Sequence, residues 1–339
     1  MDYKAAAREI HQGKIQPVYL CYGSEKYQMD EFLAYLTGQL IEPEYMDFAL
    51  SKFELSETRL DDVLDDAETP PFLAPRKVVV AKDAVFFTGA KDSSKVEHRV
   101  DRLLEYIAKP SESSVIVFTV SADKLDERKK IVKQLKERGG VVPFQPLSAE
   151  ELVQWVMRRA EKLKCRMDRT SADRLILNAG TSLQALSREM EKLSLFVGEG
   201  GAVTEEVIES MVVRTTEQNV FLLIEEIAQL RVQRAMSIFY DLLKQREEPI
   251  KLIALIARQF RIILQVKELT HQGYSQQQSA SQLALHPYAV KIAAEQGRRF
   301  ETKRLAGILS ELAELDYRMK SGKIDKVLGL ELFLLRMAA

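Results

Sequence analysis

The sequence is poor in cysteine and histidine, and each shortage excludes a class of site. Cys21 and Cys165 are the only cysteines among 339 residues, so neither a disulfide framework nor a CxxC metal or redox motif is available. The four histidines are scattered, without an HExxH pattern or a carboxylate at ligand spacing. No GxSxG nucleophile elbow occurs either. These absences predict a chain with no metal, no cofactor and no catalysis of its own.

Long apolar runs and a strong charge excess are also missing. No segment approaches the roughly 20 apolar residues of a membrane span, and the first residues, MDYKAAAREIHQGK, lack the apolar core of a signal peptide. Residues 1–150 carry 21 basic and 26 acidic side chains, and residues 151–339 carry 28 and 24. A stand-alone nucleic-acid binder would have a strongly basic domain. We therefore expect a cytoplasmic protein without membrane contact, which tolerates nucleic acid nearby.

The hydrophobic pattern predicts two kinds of fold in one chain. Residues 1–145 alternate β-branched or aromatic runs with amphipathic stretches, which is typical of an α/β domain with a parallel sheet. Beyond Ser148, which has capping-box spacing to Glu151, the pattern is helical throughout. The polar joint at 214–218 favours a small helical domain over 146–212 and a larger one over 213–339. Strands are expected over 17–22, 48–53, 77–81, 114–120 and 141–144, and helices include 125–138 and 219–230.

The turn after the first strand lies where a P-loop NTPase binds phosphate. It reads Gly23-Ser24-Glu25-Lys26-Tyr27-Gln28-Met29-Asp30. By P-loop spacing, Gln28, Met29 and Asp30 occupy the positions of Gly, Lys and Ser/Thr, so the phosphate-binding lysine and the Mg²⁺-binding hydroxyl are missing. Lys26 is more simply a surface residue than a displaced phosphate-binding lysine. We predict a degenerate loop at Gly23, Ser24, Glu25 and Lys26 that binds no nucleotide.

A proline-rich segment follows the helix predicted over 60–67. It reads Thr69-Pro70-Pro71-Phe72-Leu73-Ala74-Pro75-Arg76, and its prolines should end the helix and start a short new element. Taken alone, the pattern favours burial of Phe72 and Leu73 in the core, because most large apolar residues are buried. The alternative is a rigid apolar tip for a partner, with Arg76 and Lys77 at its rim.

Two basic stretches and one broad apolar helix also admit two interpretations. Arg128, Lys129 and Lys130 lie in one basic stretch, and Arg158 and Arg159 lie in the other. A solvated helix surface is the simpler interpretation of both, and contact with DNA phosphates is the alternative. The helix over 249–270 has an apolar surface wider than one stripe, and we expect part of it to face partner subunits.

Seven segments together resemble the delta subunit of bacterial DNA polymerase III, a clamp-loader component, of the Gram-positive type. They read PVYLCYGSEKYQMDEF, ETPPFLAPRKVVVAKD, SVIVFTVSADKLDERKKIVKQL, LQALSREMEKL, NVFLLIEEI, LHPYAVKIA and MKSGKIDKVLGLELFLLRM. The order and spacing of these segments span nearly the whole chain. The missing Walker residues are also what distinguishes that family from its ATPase relatives.

The resemblance implies an AAA+-like α/β domain without nucleotide, a small helical lid domain and a helical collar. It implies that Phe72 and Leu73, with Pro71 and Arg76 beside them, bind the beta sliding clamp. It further implies tau/gamma-type ATPase subunits and a delta-prime subunit as partners, with primer-template DNA inside the complex at the replisome. An ATP-hydrolysing subunit of the same loader and a non-replicative helical scaffold are the alternatives.

Overall fold

The computed structural model describes residues 3–91, 94 and 96–337 of the chain. The chain folds into two compact units, residues 1–146 and residues 147–339. Within the described ranges, no helix is both long enough and apolar enough to cross a lipid bilayer.

The first unit alternates strands with helices. Its strands are β1 (Val18–Tyr22), β2 (Leu50–Glu54), β3 (Lys77–Lys82), β4 (Ser114–Val120) and β5 (Val141–Pro143). Its helices are α1 (Tyr3–His11), α2 (Lys26–Leu40), α3 (Met46–Ala49), α4 (Leu60–Glu68), α5 (Val100–Ala108) and α6 (Lys130–Glu137). Short 3-10 turns lie at Pro43–Tyr45 and Val85–Phe87. The strand predicted from residue 48 begins at Leu50, because residues 46–49 form α3.

All five strands pair in parallel, in the order β2-β3-β4-β1-β5. Every residue of β4 is buried, and β3 is buried up to its last residue. Continuous Val- and Ile-rich strands suit such a sheet, because helices cover both of its faces. Helices α1 and α2 pack on one face, around Phe32 and Phe144, whereas α4, α5 and α6 pack on the other, around Phe118.

Ion pairs join α4 to α5 along the acidic surface of α4. Asp61 is nearly buried and accepts hydrogen bonds from Arg99 at 2.8 and 2.9 Å. Arg102 spans Asp61, Asp65 and Glu68. The acidic surface of α4 is therefore largely neutralised within the unit.

The helix predicted over 125–138 is shorter in the structure. Residues 121–129 form a loop, and α6 begins only at Lys130. The Asp126 carboxylate accepts hydrogen bonds from the Arg128 backbone amide at 3.2 Å and from its guanidinium at 2.9 Å. A carboxylate that accepts a hydrogen bond from a nearby backbone amide competes with helix formation. The helix predicted from the amphipathic pattern was therefore too long at its start.

The second unit is entirely helical apart from one isolated β-bridge among its described residues. Its helices are α7 (Ala149–Lys162), α8 (Arg169–Ala179), α9 (Leu183–Val197), α10 (Glu205–Met211), α11 (Thr216–Ala228), α12 (Val232–Lys244), α13 (Pro249–His271), α14 (Gln276–Leu283), α15 (Pro287–Gly297), α16 (Thr302–Lys320) and α17 (Lys326–Met337). This confirms the predicted fold class, an α/β domain followed by helices. Division of the helical part at residues 212 and 213 stays a prediction.

Capping boxes mark helix starts in this unit. The capping box predicted at Ser148 is present, because its hydroxyl accepts from the Glu151 amide and the Glu151 carboxylate accepts from the Ser148 amide. Another one, at Thr215 and Gln218, starts α11 three residues before the predicted residue 219. The polar joint is therefore a helix start, since its side chains satisfy otherwise unpaired backbone amides.

Helix α13 lies at the centre of a large apolar core. Helices α11, α14, α15, α16 and α17 all contact it, and Ile256, Phe260 and Ile263 are fully buried. Neighbouring helices of the same unit bury much of this broad apolar surface, whereas Leu255, Ile262 and Leu264 stay partly exposed. Contact of the remaining surface with partner subunits stays a prediction.

We expect Asp61→Asn to destabilise the protein at neutral pH but much less in acid. Hydrogen bonds from Arg99 and then from Arg102 hold the pKa of the Asp61 carboxyl below its ordinary value. Such a group stabilises the fold above its unfolded pKa of about 4, and this contribution is lost as the pH falls through the lower folded pKa. Urea unfolding at pH 7 should show that the free energy of unfolding falls by ~1 kcal/mol or more. This difference from the wild type should become smaller near pH 3.

Asp62→Asn is the matched control. Asp62 pairs with Arg59 on the exposed side of the same helix, so its loss should change the unfolding free energy by less than about 0.5 kcal/mol. Equal losses for Asp61→Asn at pH 7 and pH 3 would contradict an ionic role for Asp61.

Candidate functional site

The segment between α4 and β3, residues 69–76, is called the tip loop here. Phe72 is 71% exposed and Leu73 is 67% exposed, and both rank among the exposed large apolar side chains of the chain. Their burial in the core, which the pattern alone favoured, is therefore wrong. Two adjacent large apolar side chains exposed together are typical of a binding surface rather than of an isolated surface residue.

Local interactions fix the conformation of the tip loop. The Thr69 hydroxyl and amide both donate to the Asp65 carbonyl, which closes the last turn of α4. Leu73 adopts a left-handed backbone with φ of 62°, a conformation that side chains other than glycine rarely adopt. All of residues 69–76 are described and none lies in a helix or strand, so the new short element expected after Pro71 is absent. The result is a bent segment without helix or strand, in which both side chains are exposed.

A buried lysine anchors the end of the tip loop. Lys77 is only 5% exposed, and its Nζ donates to the Asp66 carbonyl at 2.7 Å and to the Asp66 Oδ1 at 2.9 Å. This contact joins the start of β3 to the last turn of α4. The expectation of Lys77 as a rim residue for a partner is therefore wrong, whereas Arg76 is exposed.

The degenerate loop at Gly23–Lys26 is closed by hydrogen bonds within the chain. The Gly23 amide donates to the Val120 carbonyl at 3.2 Å, and the Glu25 amide donates to the Phe144 carbonyl at 3.0 Å. A Cβ on Gly23 would lie 1.9 Å from the Phe144 carbonyl oxygen. Backbone amides that would bind phosphate in a P-loop are thus occupied by strand ends.

Charge at the same loop also disfavours phosphate. Glu25 lies at the start of α2, where the helix dipole would otherwise favour an anion, and partial burial raises the pKa of its carboxyl. Lys26 and Ser24 are exposed, and Asp30 lies one turn further along α2. The loop keeps the position of a nucleotide site but offers it an acidic side chain and no free cradle.

The basic residues proposed for DNA contact separate into two groups. Lys129 donates to the Phe86 and Thr88 carbonyls at 2.7 and 2.8 Å, and Arg159 pairs with Glu191 at 2.8 Å. These two are used inside the chain. Exposed basic side chains remain at Lys130 and Arg158. Arg128 is also exposed, but its guanidinium already pairs with the Asp126 carboxylate at 2.9 Å.

The structure also exposes apolar residues that the sequence analysis did not single out. On α17, Leu328, Leu332 and Leu335 are exposed at i, i+4 and i+7, which places them on one face of the helix. Phe48 on α3 is 60% exposed, although the sequence placed it in a strand. The spacing of apolar residues along α17 can be read from the sequence. Helix α3 has only four residues, which is too short for a helical spacing of apolar residues to be recognised.

Metal and thiol chemistry find no support in the described residues. No group of three or more histidine, cysteine, aspartate or glutamate side chains is placed to hold a metal ion there. Both cysteines are buried, and burial raises the pKa of each thiol. His286 caps α15 by accepting from the Tyr288 amide at 3.1 Å, and burial lowers its pKa to about 4.

Comparison with known proteins gives consistent matches over the chain. The model for "DNA polymerase III, delta subunit" matches residues 19–145, and that for "DNA polymerase III delta subunit, C-terminal domain" matches residues 217–337. DNA polymerase III subunit delta of Bacillus subtilis (strain 168) is 40% identical over 330 residues, covering 97% of this chain and 95% of the relative. The probable DNA polymerase III subunit delta of Aquifex aeolicus (strain VF5) is 20% identical over 257 residues, covering 76% and 72%.

A solved structure extends the match to the fold. The structure of the Bacillus subtilis DNA clamp loader delta protein aligns with a TM-score of 0.77 at 40% identity, and the alignment covers 99% of both chains.

We expect Gly23→Ala to destabilise the first unit strongly. The new methyl group would collide with the Phe144 carbonyl, and the φ of 141° at Gly23 disfavours any side chain. Thermal and urea unfolding should show that the free energy of unfolding falls by about 3 kcal/mol or more. Gly38→Ala on α2 is the control, because nothing lies within 4 Å of its added Cβ. It should stabilise the helix by up to about 1 kcal/mol, and similar effects of the two variants would refute the close approach.

Proposed function

The chain belongs to the DNA polymerase III delta subunit family, and we propose that it binds the beta sliding clamp in the clamp loader. On this proposal it opens the clamp ring, or holds it open, so that the ATP-driven loader can place the clamp on primed DNA during replication. The matches to delta subunits over nearly the full length confirm the resemblance drawn from the sequence. The higher identity to the Bacillus relative agrees with the Gram-positive type.

The observation that carries clamp binding is the exposed Phe72 and Leu73 pair on the tip loop. Apolar anchors of this kind contribute most of the binding energy when they enter a pocket near the centre of an interface. Pro70, Pro71 and the Lys77 contact with Asp66 restrict the loop before binding. A pre-ordered loop loses less conformational entropy on docking, which favours affinity. Arg76, exposed beside the pair, supplies a charged rim that affects association rate and salt dependence.

Clamp opening needs only a preference for one ring conformation. A ring closed by protein interfaces is in equilibrium with its open form, and a subunit that binds the open form more tightly shifts the population by its differential affinity. The tip loop supplies binding energy for this preference. No covalent step or nucleotide hydrolysis by this chain is required.

The closed loop at Gly23–Lys26 supports a non-catalytic role. The backbone amides of Gly23, Glu25 and Lys26 are already bonded, its P-loop lysine is missing, and Glu25 lies where phosphate would bind. These features disfavour the alternative of an ATP-hydrolysing subunit of the same loader. ATP hydrolysis is accordingly assigned to the partner subunits.

The exposed leucines of α17 support assembly through the helical unit. Of these leucines, Leu332 lines a groove of about 340 Å³ between α16 and α17, together with Glu311, Arg318 and other residues. Leu328 and Leu335 lie on the same face of α17. An apolar stripe next to charged groups is typical of a subunit interface. We assign this surface to contacts with the tau/gamma-type ATPase subunits and the delta-prime subunit.

DNA contact and location complete the proposal. Lys130 and Arg158 are exposed and would contact phosphates of primer-template DNA within the loader. Arg128 would contact a phosphate by exchanging its pairing with Asp126. The chain would act in the cytoplasm, at the nucleoid-associated replisome. Because these contacts are few, most of the salt-dependent DNA affinity should come from the assembled complex.

We expect this chain to bind no ATP on its own. Isothermal titration with Mg²⁺ and ATP should give no measurable heat of binding, and ATP should not shift the thermal unfolding midpoint. An ATPase subunit of the loader, measured in the same buffer, is the positive control. Micromolar affinity for ATP would refute the assignment of Gly23–Lys26 as a degenerate loop.

We expect Phe72→Ala combined with Leu73→Ala to weaken clamp binding by about 100-fold or more. Both side chains are mostly exposed, so circular dichroism and incorporation into the loader should be unchanged. Clamp affinity is measured by surface plasmon resonance with the full chain. Unchanged affinity would remove the tip loop from the interface.

We expect Leu328→Gln combined with Leu335→Gln to impair loader assembly but not clamp binding. Glutamine keeps helix propensity while it removes the apolar surface of α17. Co-purification with the ATPase and delta-prime subunits should fall about 10-fold or more, whereas affinity for the isolated clamp should match the wild type. Normal assembly with this variant would show that another surface joins the partners.

A further inference from the structure

Phe48 is a third large apolar side chain exposed at the same end of the sheet as the tip loop. It lies on α3 and is 60% exposed, whereas the fully buried side chains of the first unit include Phe32, Phe87 and Phe118. Its neighbours Tyr45 and Met46 pack against the core cluster that α1 and α2 cover. The short helix is thus anchored on one side and presents Phe48 on the other.

Strand register places Phe48 close to the tip loop. Helix α3 leads directly into β2, and the tip loop leads directly into β3. These strands pair in parallel with Leu50 opposite Val78, so Phe48 and Arg76 each precede a paired position by two residues. Adjacent strands lie about 4.8 Å apart, and both segments therefore emerge side by side at one edge of the sheet.

The two segments also share a base. Ala74 of the tip loop packs against the same core cluster as Tyr45, Met46 and Leu50. Helix α4 packs on the opposite face of the sheet, so the tip loop crosses the sheet edge and reaches the side where α3 lies. One core cluster therefore supports both segments, α3 with the exposed Phe48 and the tip loop with the exposed Phe72 and Leu73.

We infer that Phe48 is a second anchor for the sliding clamp, and this inference rests on the proposed function. Its occupant is the same clamp that the tip loop binds, because α3 and the tip loop lead into adjacent parallel strands at the same edge of the sheet. Exposed charges flank the surface, with Asp47 and Glu44 beside Phe48 and Arg76 beside the tip loop. An apolar centre with a charged rim is the anatomy of a protein interface.

The area of this surface is too small for self-association through it alone. It suits a partner that also contacts other residues of the chain. Three exposed apolar side chains supply roughly 400 Å², about half of the ~800 Å² that each partner contributes to a standard interface. That area is sufficient for the anchors of a larger clamp interface. A symmetric dimer built on this surface alone would be too small to be stable.

The affinity experiment compares two exposed phenylalanines in the full chain. Phe48→Ala should weaken binding of the purified beta clamp by about 10-fold. Phe196→Ala on α9 is the matched control, because Phe196 is 58% exposed but lies in the second unit. It should change the affinity by less than about 2-fold, and Phe48→Leu should retain most of the binding because it keeps an apolar side chain. Thermal unfolding of each variant checks the fold.

A spectroscopic probe gives an independent readout. The native Cys21 and Cys165 are buried, so an environment-sensitive thiol dye should react selectively with a Phe48→Cys variant. Clamp addition should shift the dye emission to the blue if residue 48 enters the interface. The same dye on Phe196→Cys should show no shift.

The outcomes separate this inference from the proposed function. Wild-type affinity in Phe48→Ala, together with loss of binding in the Phe72 and Leu73 double variant, would overturn the inference and leave clamp binding intact. Absence of clamp binding by the wild-type chain would overturn both. A dye shift or altered sedimentation that depends on the concentration of this chain, without clamp, would assign Phe48 to self-association instead and overturn the inference.

Discussion

The buried start of β3 is the constraint on which the candidate binding surface depends. Lys77 enters the sheet with its ammonium group enclosed, and its contacts with the Asp66 carbonyl and carboxylate satisfy a charge that would be costly to bury alone. Because Lys77 is bound to the last turn of α4, the eight residues between helix and strand must turn within a short span. That geometry, with the left-handed Leu73 at its centre, directs two apolar side chains outward. The same strand register places α3 beside the loop.

The proposed absence of nucleotide chemistry has its structural basis in the turn after β1. Strand β1, its turn and α2 remain in place, but the amides of the turn bond to Val120 and Phe144. Gly23 also lies so close to Phe144 that an added Cβ would collide with its carbonyl. The turn therefore packs against the residue that follows β5.

Much of this fold follows from the sequence, whereas the site follows only in part. Strands β1, β3 and β4 are continuous apolar runs, and the capping box at Ser148 marks where the helices begin, so these features were predicted correctly. Lys129 shows what the sequence could not predict. Its place in a basic stretch suggested a solvated helix surface or contact with DNA, but its ammonium group donates to the Phe86 and Thr88 carbonyls. No local sequence pattern indicates such a long-range contact. Phe72 and Leu73 show the same limit, since composition favours burial and only the backbone turn exposes them. Phe48 was missed because a four-residue helix before a strand leaves no period.

The leucine stripe on α17 has a consequence for the amount of this chain that a cell can maintain. An unassembled copy presents Leu328, Leu332 and Leu335 to water, and exposed apolar surface promotes association with other unfolded or orphan proteins. Chaperones and proteases act on such surfaces continuously. If partner subunits cover α17 as proposed, synthesis in excess of those partners would shorten the lifetime of the surplus. The abundance of the chain would then follow the supply of these subunits.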